Sequence, residues 1–417
     1  MLAVAASTHP DRGSEPGLGW GWVEALAEQH DLWVITGERE GNREAIERRL
    51  AEVPEAAKHI HVHFIPRPDG PRLERVFPPY YYRLYRRWHE KAYDLAKRLA
   101  AEVRFDLAHQ INMTGYREPG FLWKLDLPFV WGPVGGTANV PLRFASVLGP
   151  GPFCYHLAKT VVNNVQLRYH PRVRQALRRA DGFVTSNSTE RHAFLHVWGK
   201  NSAVIPDTGP PRQDLPGRDG REPGVFRIAW NGIHVSRKAL PLVLRAVRRL
   251  PPGLEWHLDI LGEGPMTRRW TRLADRLGVG QRCTWHGWVT TARAREVVAG
   301  ADVLALLSLH EGMPTVVMEA LAMGVPVVCL DICGQGDLVD STCGIRIPPT
   351  STDKVIAGAT DGLRSLANDP ARLATLRGGC LRRIAACSWE EKVARMNGVY
   401  ADAMRNRARE RQTDEVA

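Results

Sequence analysis

The stretch "HEGMPTVVMEALAMGVPVVCL", residues 310–330, sets two carboxylates, Glu311 and Glu319, eight positions apart around the start of an apolar run. It reads as the end of a strand, a loop, a helix and a second strand. The run "VLALLSL" at 303–309 has strand length, and His310, Glu311, Gly312 and Met313 break it. Pro314 fits the first helical position, where the amide hydrogen it lacks would have no partner. The helix then runs to Gly324, a C-terminal glycine, and "VPVVCL" is the next strand. A helix that begins past the carboxyl end of a strand turns unpaired N–H groups toward a crevice, which suits a phosphate. Carboxylates repel phosphate, so Glu311 and Glu319 need another partner, and neutral hydroxyls are the natural one. A phosphate flanked by hydroxyls describes a nucleotide sugar. Two glutamates taken alone are more often an acid at a helix N-terminus and an exposed helical residue.

Other residues could join such a site. In "NGIHVSRKALPLVLRAV", Arg237 and Lys238 stand after the strand "FRIAW" and directly before a helix, so their charges can reach the same crevice. As a bare pair they are more commonly solvated. "SEPGLGWGW" supplies Gly17, Gly19 and Gly21 before a helix, where a bare backbone allows close approach of a ligand. The same glycines raise a nicotinamide-dehydrogenase reading, with Glu38 following Gly17 by 21 positions. That reading fails on pattern: G-x-G-x-G replaces G-x-G-x-x-G, and about ten residues separate it from the strand. His109, in "FDLAHQIN", ends a strand and is a candidate for facing the crevice, although such a histidine is more often a hydrogen-bonded wall residue. Residues 77–93, "FPPYYYRLYRRWHEKAY", join seven aromatics to Arg83, Arg86, Arg87 and Lys91. They offer either a grip on an acidic or lipid-linked acceptor, a peripheral membrane contact, or an ordinary helix with aromatics inward. No D-x-D occurs, which counts against a carboxylate-held divalent metal.

These residues must be positioned by something, and 417 residues are too many for one ordinary core. With 44% hydrophobic and 24% charged residues the chain is globular material. No run of 18 apolar residues spans a membrane, and "MLAVAASTHPDRG" reads as a first strand, not a leader, so a cytoplasmic protein is expected. Seven cysteines without a close pair argue against a disulfide framework, and no histidine sits among Cys329, Cys333 and Cys343, so no metal site is expected. A net charge of +11 implies an anionic partner. Without a recognition motif that partner is not expected to be nucleic acid.

Strand-like and helical runs alternate from end to end, the pattern of parallel sheets covered on both faces. Residues 206–224 hold five prolines and four glycines in 19 positions without hydrophobic period, an interdomain linker. The expectation is an α/β fold of two doubly wound, Rossmann-like domains facing across a cleft: an acceptor-side domain at 1–205, the linker, and a nucleotide-sugar-binding domain at 225–387. Residues 388–417 read as a helix with Ser388 and Glu391 at capping-box spacing, packing back on the N-terminal domain, with a charged tail expected to fray from Arg405.

With these motifs in order, the sequence resembles a family 4 glycosyltransferase of the GT-B fold. The resemblance covers nearly the whole chain and is strongest in the C-terminal half, in "GIHVSRKALPLVLRAV", "LDILGEGP", "CTWHGWV", "SLHEGMPTVVMEALAMGVPVV" and "GQGDLVDSTCGIRIP"; "SEPGLGWGW" and "FVWGPVGG" extend it to the N-terminal half. It implies retaining, metal-independent transfer of a sugar from a nucleoside diphosphate sugar to a hydroxyl acceptor: a polysaccharide, a lipid-linked glycan or a small metabolite. A peripheral place on the inner face of the membrane goes with the lipid-linked case. By motif match, Glu311 would hold donor sugar hydroxyls and Glu319 the ribose. Gly312, Met313, Pro314, Thr315 and Val316 would form the donor-binding turn, its N–H groups holding the diphosphate with Arg237 and Lys238. Gly262, Glu263 and Gly287 would lie around the nucleoside, and Gly17 and Gly19 would approach the diphosphate from the other domain. The catalytic candidates are thus Glu311, Lys238, Arg237 and His109. Two positions depart from the family's pattern. Ile233 stands where an arginine is usual, leaving Arg237 or His234 to replace it, and the histidine expected after "PFV" is absent. They keep open a donor-binding partner subunit without activity, and a phosphorylase-like relative.

Overall fold

The computed structural model describes residues 1–39, 41–67, 78–211, 215–216 and 224–416. Among the described residues the chain forms two units, Met1–Thr137 with Asn164–Gly209 and Trp389–Ala417, and Ala138–Asn163 with Pro210–Ser388.

The first unit is built on β1 (Leu2–Ala5), β2 (Leu32–Glu38), β3 (Ile60–Pro66), β4 (Ala108–Asn112), β5 (Phe129–Val134), β6 (Gly182–Thr185) and β7 (Ala203–Val204), in the order β3-β2-β1-β4-β5-β6-β7. Every pairing is parallel. The strands are apolar on both faces because helices cover both. The order reverses between β1 and β4, where Ala5 lies beside Asn112.

The second unit repeats the plan with β8 (Phe226–Asn231), β9 (Trp256–Leu261), β10 (Cys283–Gly287), β11 (Val303–Leu306), β12 (Val327–Leu330) and β13 (Gly344–Ile347), in the order β10-β9-β8-β11-β12-β13. All are parallel, and the reversal falls between β8 and β11, with Ile228 beside Val303. Loops leaving neighbouring strands in opposite directions open a crevice at the carboxyl ends of the pair.

Three boundaries differ from the sequence reading. Residues 138–163 lie inside the span assigned to the N-terminal domain yet belong to the second unit, because Val140, Phe144, Val147 and Leu148 pack into its core. Residues 206–209 are part of the first unit: Trp22 Nε1 donates to Asp207 O at 2.8 Å, and Trp389 lies against Gly209. Residues 212–214 and 217–223 of the expected linker lie outside the described residues.

The third concerns the final helix, Trp389–Val416. Trp389, Val393, Met396, Tyr400 and Ala403 recur at helical spacing and are buried in the first unit's core. The helix does not end at Arg405. Arg407 and Arg411 both pair with Asp126, which continues it to Val416.

The aromatic stretch at 77–93 begins outside the described residues with Phe77 and continues in the helix Pro78–Glu102. There Tyr85 and Trp88 are buried, whereas Arg83, Arg86, Arg87 and Lys91 are exposed. The buried rings serve the core, and among the described side chains the exposed ones from 83 to 91 are charged. Among the described residues no helix is long and apolar enough to cross a membrane.

Candidate functional site

The second unit gathers its polar side chains where β8 and β11 diverge. Past β8 the chain makes a tight turn at Ser236–Lys238, and past β11 it reaches Glu311. The two loops are tied together: Leu309 N donates to Arg237 O at 2.8 Å, and Arg237 Nη1 donates to His310 O at 2.9 Å. Lys238 Nζ then lies 2.6 Å from Glu311 Oε1, with Arg237 Nη1 3.4 Å from the same oxygen. Glu311 is 6% exposed. Burial pushes its carboxyl up, but Lys238 and Arg237 outweigh burial and hold it below the usual carboxylate range. The result is a buried carboxylate and two cations, net positive, at the end of the crevice.

The helix after this loop is Thr315–Ala322, with Pro314 as N-cap in an extended conformation, so the proline stands one residue before the position expected from sequence. No side chain caps the first turn. Met313, Pro314 and Val316 are buried, Gly312 and Thr315 exposed. Gly334 N donates to Gly312 O at 3.0 Å, and a Cβ on Gly334 would stand 2.1 Å from that oxygen, so only glycine allows this approach. Gln335 Nε2 donates to Ser308 O at 2.8 Å and fixes the strand end from the same side. Glu319 lies one turn further on, where Arg295 donates to its Oε1 from Nε at 3.0 Å and from Nη2 at 2.9 Å. Both donors meet the same oxygen, a charge-assisted contact that ties the Glu319 carboxylate to Arg295.

Gly262 follows β9, and Gly287 ends β10. Gly262 N donates to Gly287 O at 2.9 Å, and with φ +97° at Gly262 a Cβ there would fall 2.3 Å from Gly232 O. Glu263 lies against Gly287 and accepts His234 N on its own carbonyl at 3.0 Å. These glycines therefore let three neighbouring loops close on one another.

Several sequence expectations need correction. His234 cannot stand in for the missing arginine: it is fully buried, its Nδ1 lies 2.8 Å from Thr267 Oγ1, and burial pushes its pKa down to about 4, so it is neutral. Arg237 remains for that part, while Ile233 itself is 48% exposed. His109 is a core residue. Nε2 donates to Gly132 O at 2.7 Å, since a carbonyl only accepts, and Nδ1 accepts from the Tyr400 hydroxyl at 2.8 Å. With burial lowering its pKa to about 4, both nitrogens are occupied by structure. His109→Phe is expected to destabilise the protein by about 2–4 kcal/mol through the unpaired Tyr400 and Gly132 groups, with nucleoside diphosphate affinity unchanged. Urea midpoints and titration calorimetry check this, and weakened ligand binding by a folded variant would return His109 to the site. Gly17 and Gly19 also have a structural reason. A Cβ on Gly17 would stand 2.0 Å from Arg12 O, and one on Gly19 2.1 Å from Ser7 O and 2.4 Å from Asn112 Nδ2. The close approach is to the chain's own loop.

Sequence reasoning missed Arg295, Ser236 and His156. His156 Nε2 lies 3.2 Å from Ser236 Oγ, directly before Arg237. Arg295 is 24 residues from Glu319 on another helix, and no local pattern announces it. Gln335 sits within "GQGDL", a motif whose residues the sequence leaves without a role.

Residues 226–365 match a family described as glycosyl transferases group 1. A D-inositol 3-phosphate glycosyltransferase of Rhodococcus erythropolis is 30% identical over 237 residues, covering 52% of this chain and 52% of its own. The chain spans about half the length of these curated relatives. Among solved structures, Anabaena HepE in complex with UDP gives a TM-score of 0.61 at 15% identity over 96% of this chain and 99% of that one. Sucrose-phosphate synthase of Thermosynechococcus elongatus gives 0.62 at 18% identity over 96% and 98%. At such identities the likeness speaks for the fold, which is the GT-B fold.

Proposed function

We propose, for a chain whose residues 226–365 match the family described as glycosyl transferases group 1, that the protein is a retaining, metal-independent glycosyltransferase using a nucleoside diphosphate sugar. The observation that carries this reading is the buried Glu311 held by Lys238 and Arg237 in front of the Thr315–Ala322 helix. As the bond between sugar and diphosphate breaks, negative charge grows on the diphosphate, and Arg237, Lys238 and the backbone N–H groups of Met313, Thr315 and Val316 stabilise it. Glu311, kept ionised by the same cations, accepts from sugar hydroxyls, and Glu319, aimed by Arg295, accepts from the ribose. Gly262, Glu263 and Gly287 line the nucleoside. The acceptor hydroxyl attacks from the face the diphosphate leaves, and its proton passes to a phosphate oxygen, so no protein nucleophile is needed. The acceptor is a polysaccharide, a lipid-linked glycan or a small metabolite, and a peripheral contact with an anionic membrane accompanies the lipid-linked case.

The test is a thermal-shift screen against UDP, GDP, ADP, TDP and their sugars in the presence of EDTA, with UDP first because HepE was solved with it. A ligand at a hundred times its Kd adds about 2.7 kcal/mol of stability to the folded form. Glu319→Ala is expected to weaken the selected donor by about one to two orders of magnitude, the loss of a charge-assisted contact of roughly 1.5–3 kcal/mol. Undiminished affinity in that variant removes Glu319 from the site. No shift with any nucleotide removes the donor site itself. A second reading, a donor-binding partner subunit without turnover, rests on Ile233 in place of a cation; it predicts a shift with no sugar transfer or donor hydrolysis.

A further inference from the structure

The helix Thr267–Arg276 of the second unit divides its side chains sharply. Trp270 and Ala274 are buried in that unit's core, and every exposed residue of the helix, Arg268, Arg269, Arg272, Asp275 and Arg276, is charged. Arg268, Arg272 and Arg276 recur every four positions, so they rise from one face about 6 Å apart. With Pro265, these five charged residues line an open groove of about 770 Å³. Arg245 stands beside the groove on the neighbouring helix Leu240–Arg248. Burial lowers its pKa; Asp353 opposes this, and Arg269 and Arg276 add to it.

The cations of this row are not neutralised within the protein. Among the described residues no acid forms an ion pair with Arg268, Arg269, Arg272 or Arg276; Arg276 Nε donates to Arg272 O at 3.3 Å and Arg269 Nη1 to Leu148 O at 3.5 Å, both backbone carbonyls. From residue 239 to residue 282 the sequence has eight arginines and no lysine. Guanidinium groups match carboxylates and phosphates with two parallel N–H bonds, as ammonium groups cannot. Two features narrow the ligand further. An outer face without an exposed apolar side chain has nothing to place among lipids. Asp275 lies in the same groove, where it repels a polymer charged at every position but accepts hydrogen bonds from hydroxyls. Spaced cations with an acceptor among them suit a chain that carries both carboxylates and hydroxyls.

We propose that this arginine groove binds an acidic glycan of the uronic-acid type, whose sugar units carry carboxylates beside free hydroxyls. The choice of a glycan rests on the sugar-transfer reading above, and it gives the acceptor a class, an acidic polysaccharide held outside the crevice. The helix begins four residues after Glu263, so Arg268 lies nearest the loop past β9 and Arg276 farthest from it. A long chain would follow the row away from the strand ends.

The test is titration calorimetry of the full chain with oligomeric polygalacturonate, compared with neutral dextran, poly-glutamate and inorganic polyphosphate of similar length. Polygalacturonate is expected to bind and dextran not, with affinity falling as salt is raised because the charges are exposed. Arg268→Gln with Arg272→Gln and Arg276→Gln should weaken that binding at least roughly tenfold. Melting temperature and UDP affinity of the triple variant should stay at wild-type values. Asp275→Ala should lower the ratio of polygalacturonate to poly-glutamate affinity at least roughly tenfold, because it removes an acceptor for hydroxyls and a repulsion for carboxylates together. A ratio that Asp275→Ala leaves unchanged shows a groove that reads charge alone and overturns the glycan. So does tighter binding of polyphosphate or poly-glutamate than of polygalacturonate at the same arginines, and so does a triple variant that binds polygalacturonate as the wild type does. Wild-type protein that UDP stabilises but polygalacturonate does not touch overturns this proposal and leaves the donor reading standing. Polygalacturonate binding lost in the triple variant, in a protein that no nucleotide stabilises, upholds the groove and removes the donor reading instead.

Discussion

Lys238→Ala is expected to reduce affinity for the donor nucleotide about a hundredfold or more and to destabilise the protein by roughly 3–5 kcal/mol, toward the lower figure. Both effects come from one contact. Lys238 Nζ is 2.6 Å from Glu311 Oε1, and the two side chains are 11% and 8% exposed. Removing one member of a buried pair leaves the other charge without compensation. Arg237, 3.4 Å from the same oxygen, remains and limits the loss. The pH dependence separates this from a simple packing defect. In the wild type the Glu311 carboxyl is held below its ordinary value, so it contributes stability above its unfolded pKa of about 4.3 and loses it as pH falls through the native value. Without Lys238 the burial penalty is opposed by Arg237 alone, so the carboxyl is expected to rise from its native value in the wild type. The stability gap between wild type and variant should therefore be widest near neutral pH and narrow in acid. Urea unfolding across that range reads the gap. Lys238→Met combined with Glu311→Gln should recover stability without recovering affinity, because two neutral groups no longer leave a buried charge but also no longer serve the diphosphate or the sugar. Wild-type nucleotide affinity in Lys238→Ala would remove the cation from the proposed chemistry.

The fold and the second unit were more legible in sequence than the roles of the first unit's candidate residues. Strands β8 to β13 and the helix after Glu311 follow from local signals: short apolar runs, a proline at a helix start and a glycine at its end. The order of those elements brings Arg237, Lys238 and Glu311 to one crevice, because a doubly wound sheet places loops 73 residues apart at adjacent strand ends. What sequence could not show was which polar residues the core would absorb. His109, which reads in sequence as a strand end, is the second residue of β4 with both ring nitrogens held, and His234 lies in the loop past β8 with Nδ1 held by Thr267; burial turns each neutral. Gly17 and Gly19 look like glycines kept for a ligand, yet the backbone they admit is Arg12 and Ser7. Arg295 was invisible for the opposite reason, since its role depends on a helix pairing that no local spacing encodes. The division at 138–163 was missed because a segment's allegiance is set by which core its apolar side chains enter, and Phe144 and Leu148 enter the second.

Asp207→Asn is expected to stabilise the protein at pH 8 by up to about 4 kcal/mol, by about 1.5 kcal/mol at about pH 5, and to change little below about pH 4. Asp207 is buried in the first unit, where Trp22 holds its backbone carbonyl. Burial, reinforced by Glu15, raises its carboxyl pKa to about 7, with Lys392 acting in the opposite direction. The unfolded chain titrates this group near about 3.9, so between roughly pH 4 and 7 the native state binds more protons than the unfolded state, and stability falls as pH rises. The distance between those two values is worth about 4 kcal/mol. Asparagine keeps the shape and removes the titration, so the pH slope in that window should flatten in the variant. The opposing effect is Lys392, fully buried with Nζ 3.6 Å from the Trp389 ring centre and 4.6 Å from that of Trp22. If attraction between Lys392 and an ionised Asp207 outweighed the burial penalty, Asp207→Asn would lower stability at pH 8 and the sign of the whole effect would invert. Urea midpoints at pH 5 and pH 8 decide between the two. The aromatic box makes the first outcome the expected one, because two indole faces already supply negative potential to the ammonium and leave the carboxylate's desolvation uncompensated.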